Sequence, residues 1–201
     1  MQIEIEAKFT DVNPNKIREK LKNLGGKLVF PERLMKRKVF DFKDKNLYNN
    51  GAWMRVRDEG GGKITMSYKC LRERTLHGTN EITIEINNFD SACDILKAIG
   101  LINKSYQETK REIWELNGVE VTIDTWPWIP TFVEIEADDE EKVKSAASNL
   151  GFDWQQAMFG SVENVYQMHF DATEKEIDSW ESITFVPIPD WLESKRKKLN
   201  D

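Results

Sequence analysis

Apolar and charged residues alternate along several short segments of this chain. The first is Gln2-Ile3-Glu4-Ile5-Glu6-Ala7-Lys8-Phe9, in which every second residue is apolar. Successive side chains of a β-strand point to opposite faces, so this period of two predicts a strand with one apolar and one charged face. Because the same alternation recurs further along the chain, we expect a fold built mainly from strands.

Turn residues separate the alternating segments. Asn117-Gly118 is a strong signal for a tight hairpin, and the glycine and asparagine runs at 49–51 and 60–62 mark further turns. Together they predict eight strands, at about 2–9, 33–41, 52–58, 63–70, 79–87, 105–116, 118–125 and 131–137. Eight strands are enough to close a barrel that holds a small ligand.

Helical patterns fill the gaps between strands and most of the chain after residue 137. Asn13 followed by Pro14 predicts the start of a first helix that ends at Gly25. A second helix is expected from an N-cap at Asp90 to about residue 100, and a third over about 138–151. Two short helices are expected over 153–159 and 161–169.

The charged strand faces carry like charges in pairs. These pairs are Glu4 with Glu6, Arg55 with Arg57, and Glu134 with Glu136. A charged face that simply met water would instead favour mixed polar residues. Like charges two residues apart repel, so each pair needs a partner of opposite sign. We therefore expect an α+β fold: a closed eight-stranded antiparallel β-barrel with a charged lumen and helices packed outside.

Two kinds of ligand follow from these pairs. Paired carboxylates suit a divalent cation that prefers hard oxygen ligands, such as Mg²⁺ or Mn²⁺. Paired guanidiniums suit phosphate oxygens, which they bind in a bidentate manner. A ligand that needs both is a metal-chelated polyphosphate.

The ordered set of charged residues resembles the CYTH superfamily, the triphosphate tunnel metalloenzymes. The resemblance spans roughly residues 2 to 137. It is carried by Glu4-x-Glu6-x-Lys8, then Arg55-Val56-Arg57, Lys69, Glu81, Arg111, Asp124 and Glu134-Ile135-Glu136. One position departs from the family, whose middle basic strand usually reads Lys-x-Arg. The chain has Thr109-Lys110-Arg111 there, so either Arg111 acts alone or Lys110 is displaced inward.

The resemblance implies roles for these residues. The expected metal ligands are Glu4, Glu6, Glu134 and Glu136, with Asp124 next. Glu81 is either a metal ligand or the partner of an arginine. The triphosphate would be held by Lys8, Arg55, Arg57, Lys69 and Arg111, and catalysis would use these bases together with Glu4 and Glu6. With Glu85, the expected lumen holds seven acids and five bases, a set whose burial needs compensation by cations and a triphosphate.

The family includes inorganic triphosphatases, thiamine triphosphatases, class IV adenylyl cyclases and fungal-type RNA triphosphatases. We expect a metal-dependent hydrolase that releases the terminal phosphate of a triphosphate, inorganic tripolyphosphate above others. The alternatives are a class IV adenylyl cyclase, which makes cyclic AMP and pyrophosphate from ATP, and a non-catalytic polyphosphate- or nucleotide-binding protein. The loop Trp126-Pro127-Trp128 either stacks on a base or, more commonly for such loops, packs over the barrel rim.

Length and composition set the remaining bounds. The 201 residues predict a single domain over 1–201, with barrel strands over about 2–137 and a mostly helical part over about 138–201. In this family a C-terminal helix can close one tunnel mouth, so Ser161–Phe170 or Asp190–Leu199 is expected to do so. Cys70 and Cys93 have no paired spacing and are expected to be buried, reduced thiols.

Charge and hydropathy bear on partners and location. The net charge of −6 argues against non-specific nucleic-acid binding. No run approaches the roughly 20 apolar residues of a membrane span, and acidic residues interrupt the N-terminus where a signal peptide would be apolar. We therefore expect a cytoplasmic monomer or homodimer whose partner is a small-molecule triphosphate.

Overall fold

Eight antiparallel strands close into a barrel in the computed structural model, which describes residues 2–198. They are β1 (Gln2–Phe9), β2 (Lys27–Phe42), β3 (Ala52–Asp58), β4 (Ile64–Leu71), β5 (Thr79–Ile86), β6 (Leu101–Leu116), β7 (Val119–Thr125) and β8 (Phe132–Ala137). Hydrogen bonds join them in the order β2-β3-β4-β5-β1-β8-β7-β6, and β6 pairs back with β2. The predicted closed eight-stranded barrel is confirmed.

Strands β2 and β6 are longer than the sequence predicted, at 16 residues each. Their pairing changes register between Leu28 and Phe30 and again between Phe30 and Arg33, and Pro31 lies between these residues. Such irregularities break the alternation of inward and outward side chains. The period-two pattern therefore identified only the regular part of β2, from residue 33 onward.

Within residues 2–198, seven α-helices accompany the barrel: α1 (Pro14–Asn23), α2 (Asn46–Asn49), α3 (Phe89–Ala98), α4 (Glu140–Asn149), α5 (Glu163–His169), α6 (Glu174–Asp178) and α7 (Asp190–Glu193). The segment expected to be helical over 153–159 forms only a short 3₁₀ turn, Trp154–Gln156. The expected N-cap of α3 was wrong. Asn88 caps this helix by accepting a hydrogen bond from the Ser91 amide, and Asp90 lies in the first turn.

The apolar strand faces point outward, and helices cover much of this surface, although Ile82 and Ile84 of β5 stay about half exposed. Val121, Ile123, Val133 and Ile135 belong to one core, together with buried residues of α1 and α4 such as Leu21 and Val143. A second core places Leu96 of α3 against Phe40 and Val56 of β2 and β3. Because the apolar residues of these strands pack outside, the charged residues that alternate with them face the lumen.

The C-terminal elements pack against one end of the barrel. A two-residue strand, β9 (Ser182–Ile183), adds parallel to β6, and α5, α6 and α7 share a third core with Trp126 and Phe132. Tyr166 of α5 is fully buried there and donates its hydroxyl to the Pro127 carbonyl at 2.8 Å. Both expected segments thus contribute to this end, although Leu199 lies outside the described residues.

Two smaller expectations have outcomes as well. Cys70 and Cys93 are buried free thiols, as predicted. Within residues 2–198, no helix has both the length and the apolar character required to cross a bilayer.

Candidate functional site: a charged tunnel

The barrel lumen contains a cavity of about 1340 Å³. Among the residues that line it are ten of the eleven predicted site residues: Glu4, Glu6, Lys8, Arg55, Arg57, Lys69, Glu81, Arg111, Glu134 and Glu136. The eleventh, Asp124, is 1% exposed and lies behind Arg111. Glu85, which was also expected inside, is exposed and does not line the cavity. The strands therefore bring together nearly the whole predicted set.

Lys8 of β1 lies between two carboxylates. Its Nζ is 2.7 Å from Glu6 Oε1 and 2.8 Å from Glu134 Oε1. Lys8 and Glu134 are directly opposite in the pairing of β1 with β8. Burial disfavours the ammonium charge, but the carboxylates of Glu134 and Glu6 outweigh it and raise the pKa of Lys8. Lys8 is therefore a permanently charged lumen cation.

Lys69 of β4 holds a second pair of carboxylates. Its Nζ is 2.8 Å from Glu4 Oε1 and 3.2 Å from Glu81 Oε2, while Arg55 Nη2 is 3.6 Å from Glu81. The other oxygen of Glu4, Oε2, is buried without a hydrogen-bond partner. Burial raises the pKa of Glu4 to about 8. The charge of Glu4 is thus only partly balanced by Lys69, whereas Glu81 forms ion pairs with both Lys69 and Arg55.

Arg111 of β6 is held by two acids. Its Nε donates to Asp124 Oδ1 and its Nη2 to Glu134 Oε2, both at 2.6 Å. The second oxygen of Asp124 accepts a hydrogen bond from the Thr122 hydroxyl. Both oxygens of Asp124 are therefore engaged, and in this arrangement Asp124 orients Arg111.

Acidic side chains crowd the wall formed by β1 and β8. Glu6 and Glu136 are directly opposite in the strand pairing, where like charges are destabilising. Burial, with the neighbouring carboxylates of Glu6 and Glu134, raises the pKa of Glu136 to about 7. Burial also raises the pKa of Glu6. We call Glu4, Glu6 and Glu136 the glutamate wall.

The glutamate wall has the donor chemistry of a divalent-cation site. Across residues 2–198, no three Asp, Glu, His or Cys side chains already converge in metal-binding geometry, and lysines occupy the carboxylates of Glu4 and Glu6. The unpartnered Glu4 Oε2 and the repulsion between Glu6 and Glu136 are nonetheless features that a cation with hard oxygen ligands would relieve. The residues therefore fit Mg²⁺ or Mn²⁺ once the lysines release them.

Sequence reasoning missed an acid that pairs with Arg57. Glu59 accepts hydrogen bonds from Arg57 Nε at 2.7 Å and from the Thr65 hydroxyl at 2.8 Å. It also forms an ion pair with Arg57 Nη2 at 2.6 Å. The signal was present, because Arg55, Arg57 and Glu59 continue one alternating series. It was overlooked because Glu59 lies just past the end of β3.

A second missed residue is Arg37, a buried cavity-lining residue of β2. Its Nη2 donates to the hydroxyl of Thr109 at 2.7 Å. The neighbouring Lys110 Nζ lies 5.1 Å from the Phe185 ring centre, and Lys110 does not line the cavity. The expectation that Lys110 could be displaced inward is therefore wrong. Arg37 supplies a cation beside Thr109 instead.

The tryptophan loop packs on the barrel end. Trp126 is 7% exposed, and its ring centre is 4.6 Å from Arg37 Cζ. Trp128 packs edge-on against Trp180 and donates its indole N–H to the Val186 carbonyl at 3.0 Å. The interpretation that this loop covers the rim agrees with these contacts.

Comparisons with known proteins agree with this architecture. The family model described as the CYTH domain matches residues 2–159. A protein from Methanocaldococcus jannaschii, provisionally named an adenylate cyclase, is 28% identical over 146 residues, which cover 71% of this chain and 82% of that protein.

Solved structures share the fold at low sequence identity. A protein from Vibrio parahaemolyticus, also provisionally named an adenylate cyclase, has a TM-score of 0.72 at 17% identity and covers 83% of this chain and 98% of that one. A Hippeastrum protein described as a provisional adenylyl cyclase with a dominant triphosphatase activity has a TM-score of 0.57 at 15% identity, with 89% and 95% coverage. These structures support the fold alone. The family model, which matches most of the sequence, shows that this chain belongs to the CYTH domain family.

Proposed function

We propose that this protein is a metal-dependent hydrolase of triphosphate compounds, inorganic tripolyphosphate above others, which releases the terminal phosphate. The observation that carries this proposal is the division of charge across the lumen. Arg55 and Arg57 lie on β3, and the glutamate wall lies on β1 and β8. In the strand order β3 and β8 are four strands apart, on opposite sides of the barrel.

This division suits a polyphosphate held between the two walls. The guanidiniums would donate to the phosphate oxygens from one side, with Lys69 of β4 and Arg111 of β6 at the borders and Lys8 of β1 among the acids. Each of these three cations already forms ion pairs with carboxylates at 2.6 to 3.2 Å. Substrate binding would therefore exchange carboxylate partners for phosphate partners, and the released carboxylates would become available to a cation.

Glu4, Glu6, Glu134 and Glu136 are the proposed metal ligands. A bound Mg²⁺ or Mn²⁺ would neutralise phosphate charge and make the terminal phosphorus more electrophilic. Asp124 is better placed to orient Arg111, since it is 1% exposed and lies behind that guanidinium without lining the cavity. Glu81 is better placed as the partner of Lys69 and Arg55.

Side chains of the lumen position the substrate and accept the proton that the reaction releases. Water attacks the terminal phosphorus, the bond from that phosphorus to the bridging oxygen breaks, and its electron pair stays on the leaving pyrophosphate. A lumen carboxylate accepts the proton of the attacking water. The arginines hold the phosphate chain in line with the attacking water, because phosphoryl transfer depends mainly on positioning and charge stabilisation.

A second candidate is a class IV adenylyl cyclase, which the names of two similar proteins favour. A cyclase must also hold adenine and direct the ribose 3′-hydroxyl at the α-phosphorus. The aromatic loop that would have served for stacking is instead occupied by contacts with Arg37, Trp180 and Val186. We therefore rank hydrolysis first.

Product analysis separates the candidates. The purified protein is incubated with Mg²⁺ or Mn²⁺ and either tripolyphosphate, ATP or thiamine triphosphate, and the products are resolved by ion-exchange chromatography. We expect phosphate and pyrophosphate from tripolyphosphate. Cyclic AMP from ATP would instead establish the cyclase, and binding of tripolyphosphate without any product would indicate a non-catalytic polyphosphate-binding protein.

We also propose that the described chain forms a single domain. Trp126, Ile129 and Phe132 near the barrel end share one core with Tyr166, Ile177 and Leu192 of the C-terminal helices. This shared core supports joint folding of the barrel and the helical part, because neither side can bury those residues alone. Limited proteolysis that released a stably folded barrel would count against it.

A further inference from the structure

Arg37 differs from the other buried basic residues that line the lumen in having no acidic partner. Lys8, Lys69, Arg57 and Arg111 each have a carboxylate oxygen within 2.8 Å. Over residues 2–198, no carboxylate lies within ion-pair distance of Arg37, although it is only 7% exposed. Its Nε is buried without a hydrogen-bond partner. A buried charge without a partner is costly, so its retention inside the barrel requires an explanation.

The neighbours of Arg37 add to this cost. Arg37 is directly opposite Arg57 in the pairing of β2 with β3, and Arg55 lies two residues before Arg57 on the same face of β3. The other neighbour of β2 is β6, which carries Arg111. Arg37 therefore has basic neighbours on both adjacent strands. Burial, with repulsion from these three arginines, lowers the pKa of Arg37 well below its ordinary value.

Two contacts hold the Arg37 side chain in place. Its Nη2 donates to the Thr109 hydroxyl at 2.7 Å, and its guanidinium carbon lies 4.6 Å from the centre of the Trp126 ring. Neither contact neutralises its charge. Arg37 is thus oriented in the cavity wall while its charge stays available to an anion.

We propose that Arg37 binds phosphate oxygens and joins Arg55, Arg57 and Arg111 into one four-guanidinium surface that grips a chain of three phosphates. This inference rests on the proposed function and deepens it by assigning a length preference. A polyanion would offset the repulsion among these side chains, and the guanidinium fork matches phosphate geometry. Because the surface spans several strands, Arg37 should matter more for tripolyphosphate than for pyrophosphate.

Calorimetric titration in excess EDTA tests this inference without turnover. Tripolyphosphate and pyrophosphate are titrated into the wild type, Arg37→Met, Arg37→Lys and the control Lys36→Met. Lys36 is adjacent on β2 but exposed, so this control removes the same charge outside the tunnel. We expect Arg37→Met to weaken tripolyphosphate binding about 10- to 100-fold, the loss typical of one charge-assisted contact. We expect a smaller loss for pyrophosphate, an intermediate effect of Arg37→Lys, and little effect of Lys36→Met.

Thermal melting without ligand supplies a second readout. Because Arg37 has no acidic partner, Arg37→Met should melt at the wild-type temperature or higher. Equal tripolyphosphate affinity of the wild type and Arg37→Met would overturn the inference. So would a wild type that hydrolyses tripolyphosphate with Mg²⁺ but binds none in EDTA, and in both cases the hydrolase proposal would stand. If Arg37→Met fails to fold, Arg37→Lys decides: wild-type affinity in that variant would assign Arg37 a structural role.

Discussion

Replacing Lys8 by methionine tests whether the lumen ion pairs stabilise the barrel. Lys8 Nζ contacts Glu6 at 2.7 Å and Glu134 at 2.8 Å, and the Lys8 side chain is 6% exposed. Its loss leaves Glu6 without this partner, whereas Glu134 keeps Arg111. Breaking a buried ion pair by removing one partner typically costs about 3–5 kcal/mol of unfolding free energy. For a chain of this size, each 1 kcal/mol shifts the melting temperature by about 2–4 °C, so we expect a fall of roughly 6–20 °C.

The assay is thermal melting of Lys8→Met and of the control Lys36→Met in EDTA, at about pH 8 and about pH 5. Burial raises the pKa of Glu6, so Glu6 takes up a proton more readily than an ordinary carboxyl as the pH falls. A protonated Glu6 is neutral and needs no cationic partner. The loss of unfolding free energy in Lys8→Met should therefore be smaller at the lower pH. A loss under about 1 kcal/mol at the higher pH, or a loss that does not change with pH, would refute this reasoning.

Two further substitutions probe the arginines and the glutamate wall. Arg57→Ala should lower tripolyphosphate turnover, and it should also lower stability because Glu59 loses its ion-pair partner. In the double variant with Glu59→Gln, the melting temperature should recover but turnover should not. Recovered turnover would contradict a phosphate role for Arg57. The pKa of Glu136 is raised to about 7, so between about pH 4.5 and 7 the folded state keeps a proton that the unfolded state has lost, and stability falls as pH rises. Glu136→Gln should remove this part of the decline in a melting series, and an unchanged decline would show that another group causes it.

The alternating pattern predicted the lumen well because a strand fixes which residues share a face. Glu4, Glu6 and Lys8 could be assigned to one face without knowing which strands were neighbours. Glu85 shows the limit of this argument. It shares the phase of Glu81, yet in the described part of the chain β1 pairs with β5 only over Thr79–Glu81, and the later residues of β5 are exposed.

Partners across strands could not be predicted, since the sequence does not give the register between them. Lys8 contacts Glu134 because β1 and β8 place them opposite each other, and Arg37 contacts Thr109 across β2 and β6. In the run Lys36-Arg37-Lys38, the inward residue is decided only by the phase of β2 in the closed barrel. From the sequence alone, Arg37 was therefore indistinguishable from its basic neighbours Lys36 and Lys38.

Phosphorus NMR of tripolyphosphate tests the central claim most directly. This claim is that the arginines bind a triphosphate and that a divalent cation held by the glutamate wall is needed for its hydrolysis. The wild type and Glu6→Gln are each followed with Mg²⁺ and again in excess EDTA. We predict that the terminal and central phosphate signals convert to phosphate and pyrophosphate only for the wild type with Mg²⁺. Turnover in excess EDTA, or undiminished turnover by Glu6→Gln, would contradict the account.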